Sequence, residues 1–278
     1  MSRLGIPLLL ASAAGVYLFA PTSSSNITEP PSASTSPGVV FEMEITDHSE
    51  SPPVVYDTEI MAEGANYKMS MTGGPGGGMF EMIFRGDRRE MLMVSHEERS
   101  YFVMNQETIA AMAGMFAKVA EMMERMPEAQ RDAMMKAQGM GGAEQTELRN
   151  TGDKATRQGY PCVKYEVLRG GHVIREMWVT DWDNVDGGDE AYAALEGMVS
   201  FVGEMMESFK GFGPMAEMGN EFDKMKEMNG LPVESREFDD SGTLTGESRL
   251  KSASRKAIDE AEFEPPAGYK KQDMGRGF

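Results

Sequence analysis

The chain has 278 residues, room for one large domain or two small ones, and its 40% apolar share is enough for a real core. Its formal charge of −18 comes with no basic stripe to oppose phosphates, which excludes nucleic-acid binding and adhesion to an anionic membrane surface. The single cysteine, Cys162, excludes an intramolecular disulfide and reads as a small buried hydrophobe on a strand.

Residues 1–20 carry one cation, Arg3, followed by an almost uncharged run from Leu4 to Ala20. That is the pattern of an export signal peptide or of an uncleaved N-terminal anchor. Gly5, Pro7 and Ser12 interrupt the run and leave it short for a membrane span. No cysteine follows it, so a bacterial lipoprotein anchor is excluded. Residues 21–38 form a Ser/Thr/Pro linker that is expected to be disordered.

The folded domain is expected over 39–272, with a frayed tail at 273–278. It opens on period-two alternation, with Phe41, Met43 and Ile45 on one side and Glu42, Glu44 and Thr46 on the other. Further strands are predicted at Val54–Met61, Ala65–Thr72, Met79–Arg85, Glu90–Ser95 and Tyr101–Met104. Short turns join all of them but one pair, which is linked by a glycine-rich loop at Gly73–Gly78. Six such strands predict an antiparallel meander with one face covered and the other wet. Asn105 is placed to cap a helix whose stripe runs Ile109, Met112, Phe116, Val119, Met123. Pro127 opens a second short helix, Glu128–Gln138.

Strand resumes at Glu147–Asp153 and continues into a hairpin around Gly170-Gly171, a pair suited to a tight two-residue turn. An unbroken register sets Val167 opposite Ile174, Tyr165 opposite Glu176, Val163 opposite Trp178 and Cys162 opposite Val179. It also pairs Glu166 with Arg175 and Leu168 with Val173. A helix capped by Asp189 should bury Tyr192, Leu195, Val199, Val202, Met206 and Phe209. A weaker helix is expected over Pro214–Met228. Strands at Leu231–Phe238 and Thr243–Ala253 and a closing segment, Phe263–Tyr269, complete the domain.

Gly159-Tyr160-Pro161-Cys162 with Tyr165, then Glu176, Trp178 and Asp181, together with Asn229–Val233 and Phe263–Tyr269, carry a family likeness. With the N-terminal signal, the strand meander and the helical insertion, the chain resembles an exported bacterial family related to the periplasmic lipoprotein-carrier (LolA/LolB-like) half-barrels. The likeness spans about Val39 to Gln272. It implies an α+β fold, a curved antiparallel open half-barrel sheet with helices packed over its concave face. Relatives with known roles hold acyl chains or lipoproteins between sheet and helices. The Met-rich helices, glycine loops and acidity of this chain depart from the carriers.

Methionine is unbranched and polarisable, so a Met-lined surface adapts to irregular apolar ligands, and it equally fills a core. Thioethers also favour Cu(I), and Met69-x-Met71 and Met91-x-Met93 supply pairs on one strand face. Histidine is scarce, at three residues. The carboxylate run Asp181–Glu190 fails the spacing of a calcium loop, because Val185 and Tyr192 fall on ligand positions. It reads as a solvated turn leading into a helix cap. No nucleophile elbow, zincin helix or phosphate loop is present. The expectation is therefore a non-catalytic exported protein, periplasmic or secreted, without a cofactor or metal site. It would bind an apolar small molecule or lipid through Phe41, Met43, Tyr67, Met69, Phe80, Phe84, Met112, Phe116, Trp178, Val199 and Phe209. The alternative is a structural or interaction module of the envelope that has a filled core and a protein partner.

Overall fold

Alternating apolar and polar residues give strands that can each bury one face, and short turns let neighbouring strands pair in sequence order. The computed structural model describes residues 35–73, 78–114, 146–208, 224 and 227–272. The signal segment, linker residues 21–34, Glu128–Gln138, most of Pro214–Met228 and the tail 273–278 lie outside them.

Strands β1 (Thr35–Asp47), β2 (Val54–Glu63), β3 (Asn66–Gly73), β4 (Gly78–Arg85), β5 (Glu90–Ser95) and β6 (Ser100–Met104) form the expected antiparallel meander. After the helical residues 106–114 (α1) come β7 (Thr146–Arg157), β8 (Tyr160–Arg169) and β9 (His172–Asp181). A 3-10 turn, η1 (Trp182–Asn184), then leads into helix α2 (Gly188–Ser208). Strands β10 (Gly230–Phe238) and β11 (Leu244–Asp259), a second 3-10 turn η2 (Glu260–Phe263) and the short β12 (Lys270–Gln272) finish the described chain. All twelve strands join in one open sheet, in the order β12-β6-β5-β4-β3-β2-β1-β11-β10-β9-β8-β7. The architecture is an open α+β sheet. Among the described residues no helix is long and apolar enough to cross a membrane.

Several expectations need correction. Strand β1 starts at Thr35, inside the predicted linker, because β11 runs on to Asp259 and offers partners for Thr35–Gly38. The sheet is not wholly antiparallel, since β12 pairs with β6 in parallel. The hairpin turn is as predicted, with Gly170 at φ 56° and Gly171 at φ 82°. Leu168 also faces Val173 as expected, but a bulge then inserts Ile174 and slips the register by one residue. Tyr165 therefore faces Met177, Val167 faces Arg175, Glu166 faces Glu176, Val163 faces Val179 and Cys162 faces Thr180.

Asp189 does not cap α2. The helix begins one residue earlier, and Asp189 and Glu190 sit in its first turn, favourable places for carboxylates. The entry is tight. A side chain at Gly187 (φ 81°) would place its Cβ 2.8 Å from Val39 Cβ, and one at Gly188 would sit 2.1 Å from the Trp182 carbonyl oxygen. Only glycine fits both places. The buried face of α2 holds Val199 and Val202 as predicted, and is wider than the predicted stripe, taking in Ala191, Ala194, Met198, Phe201 and Met205. Tyr192 and Leu195 are only partly buried, packed beside that face. The two alanines leave room for the helix backbone to approach the sheet.

Both faces of β1–β6 carry cores. The inner face packs on α2 in a cluster that includes Val39, Phe41, Met43, Ile60, Tyr67, Met69, Met82, Phe84 and Met91. The outer face, expected to be wet, holds a second cluster of Val40, Ile83, Leu92, Val94, Val103, Ile258 and Phe263, with Tyr101 and Tyr269 against it. The segment 258–272 forms a strap across that face.

Candidate functional site

Cross-strand pairing assembles the inner face row by row. One row runs Phe41, Ile60, Met69, Met82, Met93, Phe102, and the next runs Val39, Ala62, Tyr67, Phe84, Met91, Met104. Period-two alternation puts these residues on one side, and antiparallel register lines them up laterally. Helix α2 covers them, with Phe201 stacked at a tilt on Phe84, ring centroids 5.6 Å apart. Helix α1 adds Ile109 and Met112. Its start is fixed by a capping box. Thr108 donates its backbone N–H to Asn105 Oδ1 at 3.0 Å, and Asn105 donates its own to Thr108 Oγ1 at 2.8 Å.

The structure brings most of the predicted binding residues together. Phe41, Met43, Tyr67, Met69 and Phe84 are buried members of one cluster, and Phe80, Met112 and Trp178 are partly buried against it. Val199 is buried as well. Phe116 and Phe209 lie outside the described residues. The cluster also holds Ile60, Ala62, Met82, Met91, Met104, Met198, Phe201, Met205, Leu231, Val233 and Leu250, which are not among the predicted binding residues, although Ile60 and Met82 are expected on shared strand faces and Met198 and Met205 on the covering helix. Alternation within β2, β4 and β5 could have found the strand members. Of the helical members, Phe201 falls beside the predicted stripe.

Within this apolar surface two polar atoms stand out. Tyr67 is 3% exposed, and its hydroxyl has no hydrogen-bond partner among the described residues. Burial pushes that phenol well above the ordinary tyrosine range, so it stays neutral and able to donate. Thr58 Oγ1, on the same face of β2, is also buried and without a partner. Thr58 lies four residues along the strand from Ala62, the cross-strand neighbour of Tyr67, which is about 13 Å at 3.3 Å per residue.

Met82 faces Met69 on one side and Met93 on the other, so three thioether side chains line one row across β3, β4 and β5. Among the described residues no group of three His, Cys, Asp or Glu side chains is placed to hold a metal ion. The carboxylate run is spent on structure. Asp181 accepts the Asp183 N–H at 3.1 Å, while Asp186 and Glu190 receive Arg255 at 3.0 and 2.5 Å. Asp183, Asp186 and Arg255 border an open polar cleft of about 400 Å³ beside η1. Cys162 is buried, with its thiol pushed up by that burial, and its Sγ lies 3.3 Å from the Tyr160 carbonyl oxygen. It belongs to the inner cluster at the end of the hairpin away from His172. Trp178 carries the Arg157 guanidinium 4.6 Å from its ring centre.

On the outer face, Glu81 is 4% exposed and is the hub of a polar cluster beneath the strap. Lys68 reaches Glu81 at 3.2 Å and Glu262 at 2.8 Å. Ser70 Oγ lies 3.2 Å from Glu81 Oε1. His96 Nε2 sits 3.0 Å from Glu81 Oε2, at ion-pair distance but outside hydrogen-bonding geometry, while its Nδ1 meets the Tyr269 hydroxyl at 2.8 Å. Arg85 bridges Glu264 and Glu90, and Arg88 also binds Glu264.

No family model matches the chain, and no curated protein matches it in sequence. Among solved structures it is similar to an uncharacterized conserved protein from Thermus thermophilus, with a TM-score of 0.42 and 8% identity over 84% of this chain and 89% of that one. It is also similar to a chain of the Pseudomonas aeruginosa MucA/MucB complex, with a TM-score of 0.33 and 11% identity over 82% of this chain and 55% of that one. The match to MucB solved by itself has a TM-score of 0.34 and 10% identity over 83% and 57%. This chain thus spans little more than half the length of those MucB-related chains. At these TM-scores the likenesses carry no argument about function.

Proposed function

We propose that this chain is a non-catalytic exported protein of the cell envelope, periplasmic or secreted. In this reading a curved half-barrel sheet and its Met-rich helices enclose an apolar ligand such as an acyl chain. One observation carries the reading: the buried Tyr67 hydroxyl, without a partner among the described residues, within a largely apolar inner face. A buried hydroxyl without a partner costs about 1–3 kcal/mol, a cost that a ligand atom would offset. Adaptable methionines at Met69, Met82, Met91, Met198 and Met205 suit a chain of variable shape. Burying four methylenes of such a chain contributes about 3 kcal/mol before ordering costs.

A second reading, an envelope interaction module with a filled core, is favoured by the near-complete burial of Phe41, Met43, Met69 and Phe84 against α2. Native mass spectrometry of the exported protein, purified from its own envelope without detergent, separates the two. A retained lipid-sized mass that extracts into organic solvent supports the carrier reading. A bare protein that also fails to take up an uncharged fluorescent apolar probe overturns it in favour of the interaction module.

A further inference from the structure

We propose that the inner-face site takes an apolar chain bearing an uncharged carbonyl oxygen, an ester or a ketone, which accepts a hydrogen bond from the Tyr67 hydroxyl. The inference rests on the apolar-ligand reading above and goes on to name the ligand's polar group. Tyr67 is flanked across the sheet by Ala62 and Phe84, and Phe84 in turn contacts Phe201 of α2. These neighbours, Ala62, Phe84 and Phe201, are apolar and carry no counter-charge. A carboxylate brought there would lose its hydration and gain no counter-charge, so the site selects against free fatty acids. A neutral carbonyl needs only one donor. Tyr67 offers one and, being un-ionised, offers it across the whole physiological pH range.

The donor cannot be dismissed as a surface hydroxyl, because its oxygen is sealed from solvent. Buried polar groups in folded proteins nearly always find a partner. A ligand atom would supply the missing partner, and the apolar surroundings define the rest of the molecule that carries it.

The test measures displacement of a fluorescent apolar probe by methyl laurate, 2-tridecanone, tridecane and laurate, with wild-type protein and Tyr67→Phe. Wild type is expected to bind the ester, the ketone or both about three- to tenfold more tightly than tridecane, the value of one neutral hydrogen bond. Whichever of the two shows the gain identifies the source of the carbonyl. Laurate at neutral pH should bind more weakly than the ester, a comparison that needs no variant. Tyr67→Phe should bring the carbonyl compounds down to the level of tridecane measured with the same variant. Equal affinity of wild type for carbonyl compounds and tridecane, or an unaltered preference in Tyr67→Phe, overturns this inference alone and leaves a bound water as the phenol's partner. Failure of wild type to take up even tridecane overturns the carrier reading together with it.

Discussion

At the residue scale, Tyr67 and Thr58 invert the usual consequence of deleting a hydroxyl. A tyrosine or threonine that donates or accepts within a core loses stability when its oxygen is removed, because its partner is stranded. Neither hydroxyl has such a partner among the described residues. Tyr67→Phe and Thr58→Val are therefore each expected to raise the unfolding free energy of the ligand-free protein by about 1 kcal/mol. Urea unfolding of the delipidated protein checks this, and a loss of stability in both variants would mean that the hydroxyls are satisfied. Phe84 behaves conventionally. It is among the largest fully buried side chains and touches Phe201, so Phe84→Ala should cost about 3–5 kcal/mol in the same experiment. The inner position of Phe84 could be read from the alternation of Phe80, Met82 and Phe84. The isolation of Tyr67 could not, because it depends on what the helices leave out.

At the element scale, the strap shows where sequence patterns stop being informative. Strands β2 to β6 were legible because alternation and turn residues are local. The burial of the outer face was not, because Glu81, Lys68 and Arg85 look like solvent residues until Glu262 arrives 194 positions from Lys68 and Glu264 arrives 179 positions from Arg85. The hairpin register failed for a related reason: a bulge at Ile174 has no turn signal, and it sets Val167 opposite Arg175 and Glu166 opposite Glu176, pairs that alternation alone would not choose. The strap makes an alkaline prediction. Burial lowers the Lys68 pKa, but the hydrogen bond to Glu262 and the charges of Glu81 and Glu262 outweigh it, so the net displacement is upward from 10.5. A raised folded pKa means that the stabilisation is complete below 10.5 and is lost as pH rises through the folded value. Thermal unfolding from pH 9 to 12 should therefore fall more steeply for wild type than for Lys68→Gln. The variant should start lower and converge on wild type at the alkaline end. Parallel curves would show that Lys68 does not couple the strap to β3.

At the scale of the whole molecule, the charge balance opposes the fold that the pairs support. Forty-five acidic residues face twenty-seven Lys and Arg, an excess of 18 negative charges at neutral pH. Most of the ion pairs on the surface of the sheet are solvent-exposed, such as Arg255 with Asp186 and Lys251 with Asp57, and contribute little each. The buried links around Glu81 and Arg85 are screened much less by salt, since ions do not enter there. Raising ionic strength therefore weakens a few exposed attractions while relieving repulsion among the unmatched carboxylates. The second effect is the larger, because the unmatched charges are many and the exposed pairs are weak. The melting temperature should rise as NaCl is increased from about 10 mM to about 0.5 M, with most of the gain by 0.1 M, where the Debye length has fallen to about 10 Å. Repeating the titration with sucrose separates screening from the general strengthening of apolar burial by excluded solutes. A fall in melting temperature with salt would mean that attractive pairs outweigh the acidic excess. The strap, with its ion pairs to β3 and β4, would then be the first element to examine for loosening by hydrogen exchange at Lys270–Gln272.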